Sequence, residues 1–177
     1  SPSLVALCAS CGGPLTSQGY NLIGNSEGST GFSDGVNHDK VGSGANLIDP
    51  LLDQLAHNGG PTQTHALLAN SQALDAAGDV TALNGSVNDA TTTITLADAT
   101  AVPAGVGFVI IIDNEQLLVI DKSGNTLTVT RGANNTTPAA HNDDAAVNPA
   151  FDQRGVGFPR IVSGRADIGA FELDAPP

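Results

Sequence analysis

The chain has 177 residues, enough for one ordinary domain or two small ones, and its 18 Asp and Glu against 6 Lys and Arg give a formal net charge of −12. Six scattered cations are too few to neutralise a phosphate backbone or to dock on an anionic bilayer, which disfavours nucleic acid and electrostatic membrane binding. No run approaches the roughly 18 apolar residues of a membrane span, and with 14% charged residues the chain is not an expanded acidic tail.

Aromatic residues are 3% of the chain, Trp and Met are absent, and 21 Gly and 10 Pro punctuate it. Small aliphatic and β-branched side chains must therefore build the core, in short strands between tight turns. The start without an initiator Met or signal peptide predicts a processed chain or an excised piece. Cys8-Ala9-Ser10-Cys11 comes first. Gly12, Gly13 and Pro14 forbid the helix that a thioredoxin-like pair would open, and no second ligand pair completes a zinc site. Cys8 and Cys11 are thus read as a small structural disulfide of an oxidising compartment, with free thiols as the alternative.

Gly19–Gly24 reads as a brief strand between glycines, shaped like one rung of a parallel β-helix, and the apolar Leu4–Leu7 stretch would extend that edge. Asp49 and Pro50 suit the N-cap and first turn of a short helix, with Leu51, Leu52 and Leu55 as its apolar face and Asn58-Gly59-Gly60 as its stop. From residue 79 to 148 the texture changes to Thr, Val and Ile. Ile94 and Leu96 alternate with Thr, Phe108–Ile112 and Leu117–Ile120 flank an Asp113-Asn114 turn, and Lys122–Asn125 turns into Thr126–Thr130. This predicts an antiparallel meander of three or four strands. The Gly, Arg and Asp texture of the first region resumes at 149. The expected fold is mainly β: a β-rich host, 1–78 with 149–177, carrying short β-helix rungs and interrupted by a small antiparallel barrel or meander at 79–148.

Several patterns invite a chemical reading. Gly24-Asn25-Ser26-Glu27-Gly28 fits the nucleophile elbow, but Gly31 and Gly35 follow where the elbow needs a helix, so a turn between rungs is the better reading. His38, His57, His65 and His141 are scattered, and Gly59-Gly60-Pro61 keeps His57 and His65 off a shared helix face. Asp34, Asp39, Asp143 and Asp144 offer oxygen ligands for calcium, without EF-hand spacing. No cofactor is otherwise implied. Asn84-Gly85-Ser86 and Asn134-Asn135-Thr136 match glycosylation sequons.

An ordered set of motifs runs through the host: Gly19-Tyr20-Asn21-Leu22-Ile23-Gly24, Ile48-Asp49-Pro50-Leu51-Leu52, His57–Leu68, Leu74-Asp75-Ala76-Ala77-Gly78, Asp152-Gln153-Arg154-Gly155, Pro159-Arg160 and Ala166-Asp167-Ile168-Gly169-Ala170-Phe171-Glu172. Together they resemble the choice-of-anchor Q domain, found at the C-terminal end of secreted bacterial β-helix surface proteins. The departure is the insert, whose Thr130-Arg131-Gly132-Ala133-Asn134 and Ala139-Ala140-His141 resemble a small β module of phage structural proteins. The resemblance implies an extracellular location at the bacterial surface and no enzymatic activity. Among so few cations, Arg154 is expected to be held bidentately by carboxylates such as Asp75, Asp167 or Glu172, beside Asp152 of its own motif.

The expected function is a non-catalytic structural or adhesive module, open at a strand edge to other copies of itself or to preceding β-helix rungs, and able to build a filament that way. The alternative is a fragment of a β-helix carbohydrate-active enzyme or a carbohydrate-binding module. The shortage of rungs, basic residues and stacking aromatics weighs against both.

Overall fold

The computed structural model describes residues 15–173 and, before them, the backbone strand Leu4–Val5; Cys8 and Cys11 lie outside the described residues. The protein is mainly β. It divides into two compact units, Ser1–Gly78 with Asp152–Pro177, and Asp79–Phe151.

In the first unit, β1 (Leu4–Val5), β2 (Leu22–Ile23) and β3 (Lys40–Val41) lie side by side as parallel two-residue strands. Leu4 pairs with Leu22 and Leu22 with Lys40, so partners stand 18 residues apart in both steps. The same interval stacks the Tyr20 ring on His38, with centroids 4.7 Å apart. It also places Asn21 over Asp39, whose Oδ1 accepts from the Asn21 backbone N–H at 2.9 Å and from its side-chain amide at 2.8 Å. A coil this tight leaves no room for side chains where it turns. A Cβ on Gly42 would sit 2.1 Å from the Gly24 carbonyl oxygen, a backbone atom that cannot swing away. Gly42→Ala is therefore expected to destabilise this unit by about 1–3 kcal/mol, measured as a lower urea midpoint at unchanged slope.

The helix expected after Asp49 does not form. Asp49 Oδ1 accepts the Leu51 N–H at 2.8 Å, Leu51 takes a positive φ of 52°, and the chain enters β4 (Leu52–Ala56). β4 pairs antiparallel with β5 (Thr64–Leu67), and Asn58 donates across the connecting loop to the Thr64 carbonyl and hydroxyl. A two-turn helix is marginal in water, so strand pairing prevails over the local cap signal. Leu22, Leu67, Ala73 and Ala77 share a buried core with Ala166 and Ile168 from beyond the second unit. The Ile168 N–H donates to Ala73 and the Ala77 N–H to Ala166, at 2.8 and 2.9 Å.

The second unit holds β6 (Thr81–Ala82), β7 (Thr93–Thr95), β8 (Val109–Ile112), β9 (Glu115–Ser123), β10 (Thr126–Thr130) and β11 (Ala146–Pro149). They form one antiparallel sheet in the order β6-β11-β8-β9-β10-β7, curled into a half-barrel. The period-2 alternation turns Ile94, Leu96, Ile110, Ile112, Leu117, Val119, Leu127, Val129 and Val147 onto one buried face. The unit runs past residue 148, because Pro149 still pairs with Ile110 and the Ala150 N–H donates to Val109 at 2.9 Å. Its two ends are clasped: the Asn148 amide donates to Asp79 at 2.7 Å and accepts the Val80 N–H at 2.9 Å.

Candidate functional site

Two clusters of charged side chains are buried, one in each unit. In the first unit, Asp152 starts a tight turn in which its Oδ1 accepts the Arg154 N–H at 2.7 Å. Its Oδ2 accepts Arg154 Nε at 2.8 Å and the Glu172 N–H at 2.8 Å, and stands 2.8 Å from Arg154 Nη2 as an ion pair. The Arg154 guanidinium also donates to the Glu172 carbonyl at 2.6 Å and lies between the rings of Phe158 and Phe171, 4.1 and 4.0 Å from their centroids. The side-chain carboxylate that holds Arg154 is thus Asp152, two residues away. Of the partners expected from the sequence, Asp167 and the Glu172 carboxyl accept backbone N–H groups instead, and Asp75 is exposed. The short Asp-Gln-Arg turn brings the fork to its own motif's carboxylate before any distant one can reach it.

Asp167 accepts the Asp75 N–H at 2.7 Å and the Leu173 N–H at 2.8 Å, while Glu172 Oε2 accepts the Asp167 N–H at 2.9 Å. Arg160 donates to the Asp167 carbonyl at 2.7 Å, and its other terminal nitrogen stands 3.6 Å from Glu172. Burial pushes the Glu172 carboxyl up to about 8, reinforced by the neighbouring Asp167 and Asp75 charges against the pull of the Asp167 N–H and Arg160. Burial also raises Asp167 above the usual range. Asp75 itself is exposed and contributes its backbone.

In the second unit, Glu115 begins β9 at an inward position, 1% exposed, in register with Leu117 and Val119. Arg131 Nε and Nη2 donate to its two oxygens at 2.7 and 2.6 Å, and the Gly132 and Ala139 N–H groups at 3.0 and 2.9 Å. His141 bridges Glu115 and Asp113 at 2.9 and 2.7 Å. Arg131 also donates to the carbonyls of Asn88, Thr91 and Ala139. Burial opposes ionisation of Glu115, but the bonds from Arg131, Ala139, His141 and Gly132 outweigh it and hold the carboxyl at about 2. The Thr-Arg-Gly-Ala-Asn turn and the Ala-Ala-His segment therefore converge on one carboxylate. The sequence reading passed over Glu115; a glutamate at a core-facing position of an alternating strand was the available signal.

The other candidates are dispersed. Ser26 donates to the Gly42 carbonyl at 2.9 Å within the coil, and Gly28 and Gly31 follow it with positive φ instead of a helix. His57 and His65 are exposed, the latter bonded to the Asp53 carbonyl. Asp34 Oδ1 accepts the Val41 N–H at 2.9 Å, Asp39 holds Asn21, and Asp143 Oδ1 accepts the Gly85 N–H at 2.6 Å. Among the described residues no three His, Cys, Asp or Glu side chains group as metal ligands. An open depression of about 280 Å³ beside Lys122 is lined by Ala99, Thr100, Ala104, Gly124 and Asn125. The Lys122 ammonium donates instead to the carbonyls of Ala99 and Val102, both at 2.7 Å.

Chemically, both clusters are clamps. Asp152, Asp167, Glu172 and Glu115 accept from backbone N–H groups, and Arg154, Arg160 and Arg131 donate to backbone carbonyls, so each of these side chains ties separate stretches of chain together. No family model and no curated protein matches the chain.

Proposed function

We propose that this chain is a non-catalytic structural and adhesive module of an extracellular bacterial surface protein. The first unit continues and closes a parallel β-coil, and the second is a β element displayed from it. The observation that carries this reading is the 18-residue parallel stack, with Tyr20 on His38 and Asn21 on Asp39. Repeated coils bury their faces only against neighbouring coils, so such a stack belongs with further strands. The stack also has a direction. Asp34 occupies the outward Val41 N–H of β3, a side-chain block that discourages strand addition there, so the growing side is the opposite edge, which among the described strands is β1. Four of the motifs that resemble the choice-of-anchor Q domain, those holding Asp75, Asp152–Arg154, Arg160 and Asp167–Glu172, meet in one clamp, which supports reading them as one structural unit. The partner is a parallel strand from another copy or from preceding rungs.

Light scattering across a concentration series tests this. Particles larger than one chain are expected, and Leu4→Pro or Val5→Pro should disperse them, since adjacent strand N–H groups point to opposite sides and one of the two faces outward. Unsaturated products on incubation with acidic polysaccharides, or a strictly monomeric chain at high concentration that also fails to bind a β-helix fragment supplied in trans, would overturn the reading.

A further inference from the structure

We infer that Asn84–Gly85 in the second unit is a self-modifying site, at which the Asp143 carboxylate acts as general base for closure of a backbone succinimide. This goes beyond the structural reading and stands or falls separately from it. The nucleophile in such a reaction is the Gly85 backbone nitrogen, and Asp143 Oδ1 accepts its N–H at 2.6 Å. Three backbone bonds fix the pair: Leu83 N–H to Ala145, Asp144 N–H to Leu83, and Asn84 N–H to Thr95. Gly85, at φ +98°, has nothing within 4 Å of where a Cβ would stand, so no side chain shields the attack. Asn84, Gly85 and Asp143 are all exposed, which admits the water the second step consumes.

The chemistry balances with water as its only co-reactant. Asp143 takes the Gly85 amide proton as that nitrogen bonds to Cγ of Asn84. The proton passes to the departing Nδ2, the Cγ–Nδ2 bond breaks, and ammonia leaves a succinimide. Water then opens one imide carbonyl, giving aspartate or isoaspartate at 84. While the ring is closed residue 85 has no N–H, so its bond to Asp143 is lost, and hydrolysis adds one negative charge at residue 84.

The chain carries its own control. Asn58–Gly59 has the same dipeptide, but the Asn58 amide donates to the Thr64 carbonyl and hydroxyl at 2.9 and 3.1 Å, and a Cβ on Gly59 would meet the Phe158 ring at 2.4 Å. There the leaving nitrogen is tethered, and although Gly59 is exposed, the Phe158 ring covers the side that is open at Gly85.

The test is a timed incubation of the folded full chain at mildly acidic and neutral pH, read by peptide mapping and by methylation of isoaspartate. Residue 84 should convert and residue 58 should lag. Asp143→Asn, which can still accept the Gly85 N–H but cannot take its proton, should slow residue 84 by about 100-fold, the lower range for a positioned base. Residue 58 should be unaffected, and an unchanged circular dichroism spectrum checks the fold. In urea the two sites should convert at similar rates. Equal rates at 84 and 58 in the folded chain, or conversion at 84 untouched by Asp143→Asn, would overturn the assignment.

Discussion

Replacing Arg154 by Ala is expected to lower the melting temperature of the first unit by on the order of 10–20 °C, the equivalent of about 3–5 kcal/mol for breaking a buried pair. Both members of the pair are buried, with side-chain exposures of 5% and 0% for Arg154 and Asp152. Without the guanidinium, the Glu172 carbonyl loses its donor, Asp152 keeps a buried charge, and Phe158 and Phe171 face a gap between their rings. Arg154→Lys separates the contributions. It retains the charge but not the planar fork or the double stacking, so it should recover less than half of the loss. Tyr20 is the single tyrosine and there is no Trp, so tyrosine fluorescence reports this unit alone. An unchanged tyrosine melting curve for Arg154→Ala would show that the clamp does not hold the first unit together.

The two units should respond to pH in opposite senses. Glu172 is raised from 4.5 to about 8 in the fold, so the folded first unit binds a proton that the unfolded chain has already released. Its contribution is complete below about pH 4.5 and is lost as the pH rises through about 8. A shift of that size corresponds to roughly 3–5 kcal/mol over the window. Asp152, Arg154, Asp167, Asp75 and Arg160 are the charged groups around it. Glu115 is lowered from 4.5 to about 2, so its contribution is present above about 4.5 and is lost as the pH falls toward 2. Urea titrations across this range should therefore show the first unit weakening in mild alkali and the second in acid. Glu172→Gln, a permanently uncharged side chain, should flatten the alkaline limb. Glu115→Gln should remove much of the acid limb while destabilising the second unit by about 3–5 kcal/mol, because Arg131 is left without its counter-charge. An alkaline limb that persists unchanged in Glu172→Gln would rule out Glu172 as its source.

Both results depend on groups whose roles differ in how far the sequence revealed them. The β-rich character was legible because it rests on local physics. Alternation in Thr93–Thr95 and Thr126–Thr130, apolar runs at Val109–Ile112, and Gly or Asn at the turns bias each segment independently of the rest of the chain. The brief rung at Leu22–Ile23 was legible for the same reason, bounded by Gly19 and Gly24. What failed locally was Asp49–Leu55. A cap and a proline favour a helix by about a kilocalorie, whereas pairing with Thr64–Leu67 satisfies a whole ladder of backbone groups that no local signal announces.

Partner choice among charges belonged to the tertiary structure. The sequence showed that Arg154 needed a carboxylate; only the fold, by turning Asp152 back onto it and sending Asp167 and Glu172 to cap backbone N–H groups, decided which. Glu115 is the sharper case. Arg131 and His141 stood out in their motifs, but their common target lies 16 and 26 residues away along the chain, on a strand they reach only once the sheet has curled. Likewise, the 18-residue interval of the coil is faint in the sequence: Val5, Ile23 and Val41 match along it, but Leu22 stands beside Lys40, Tyr20 on His38 and Asn21 over Asp39, so the like positions are too few to announce a repeat. Secondary structure follows from each residue's own conformational and hydrophobic preferences, which the sequence carries in place. A buried charge is tolerated only where several distant donors converge on it, and that convergence exists only in three dimensions.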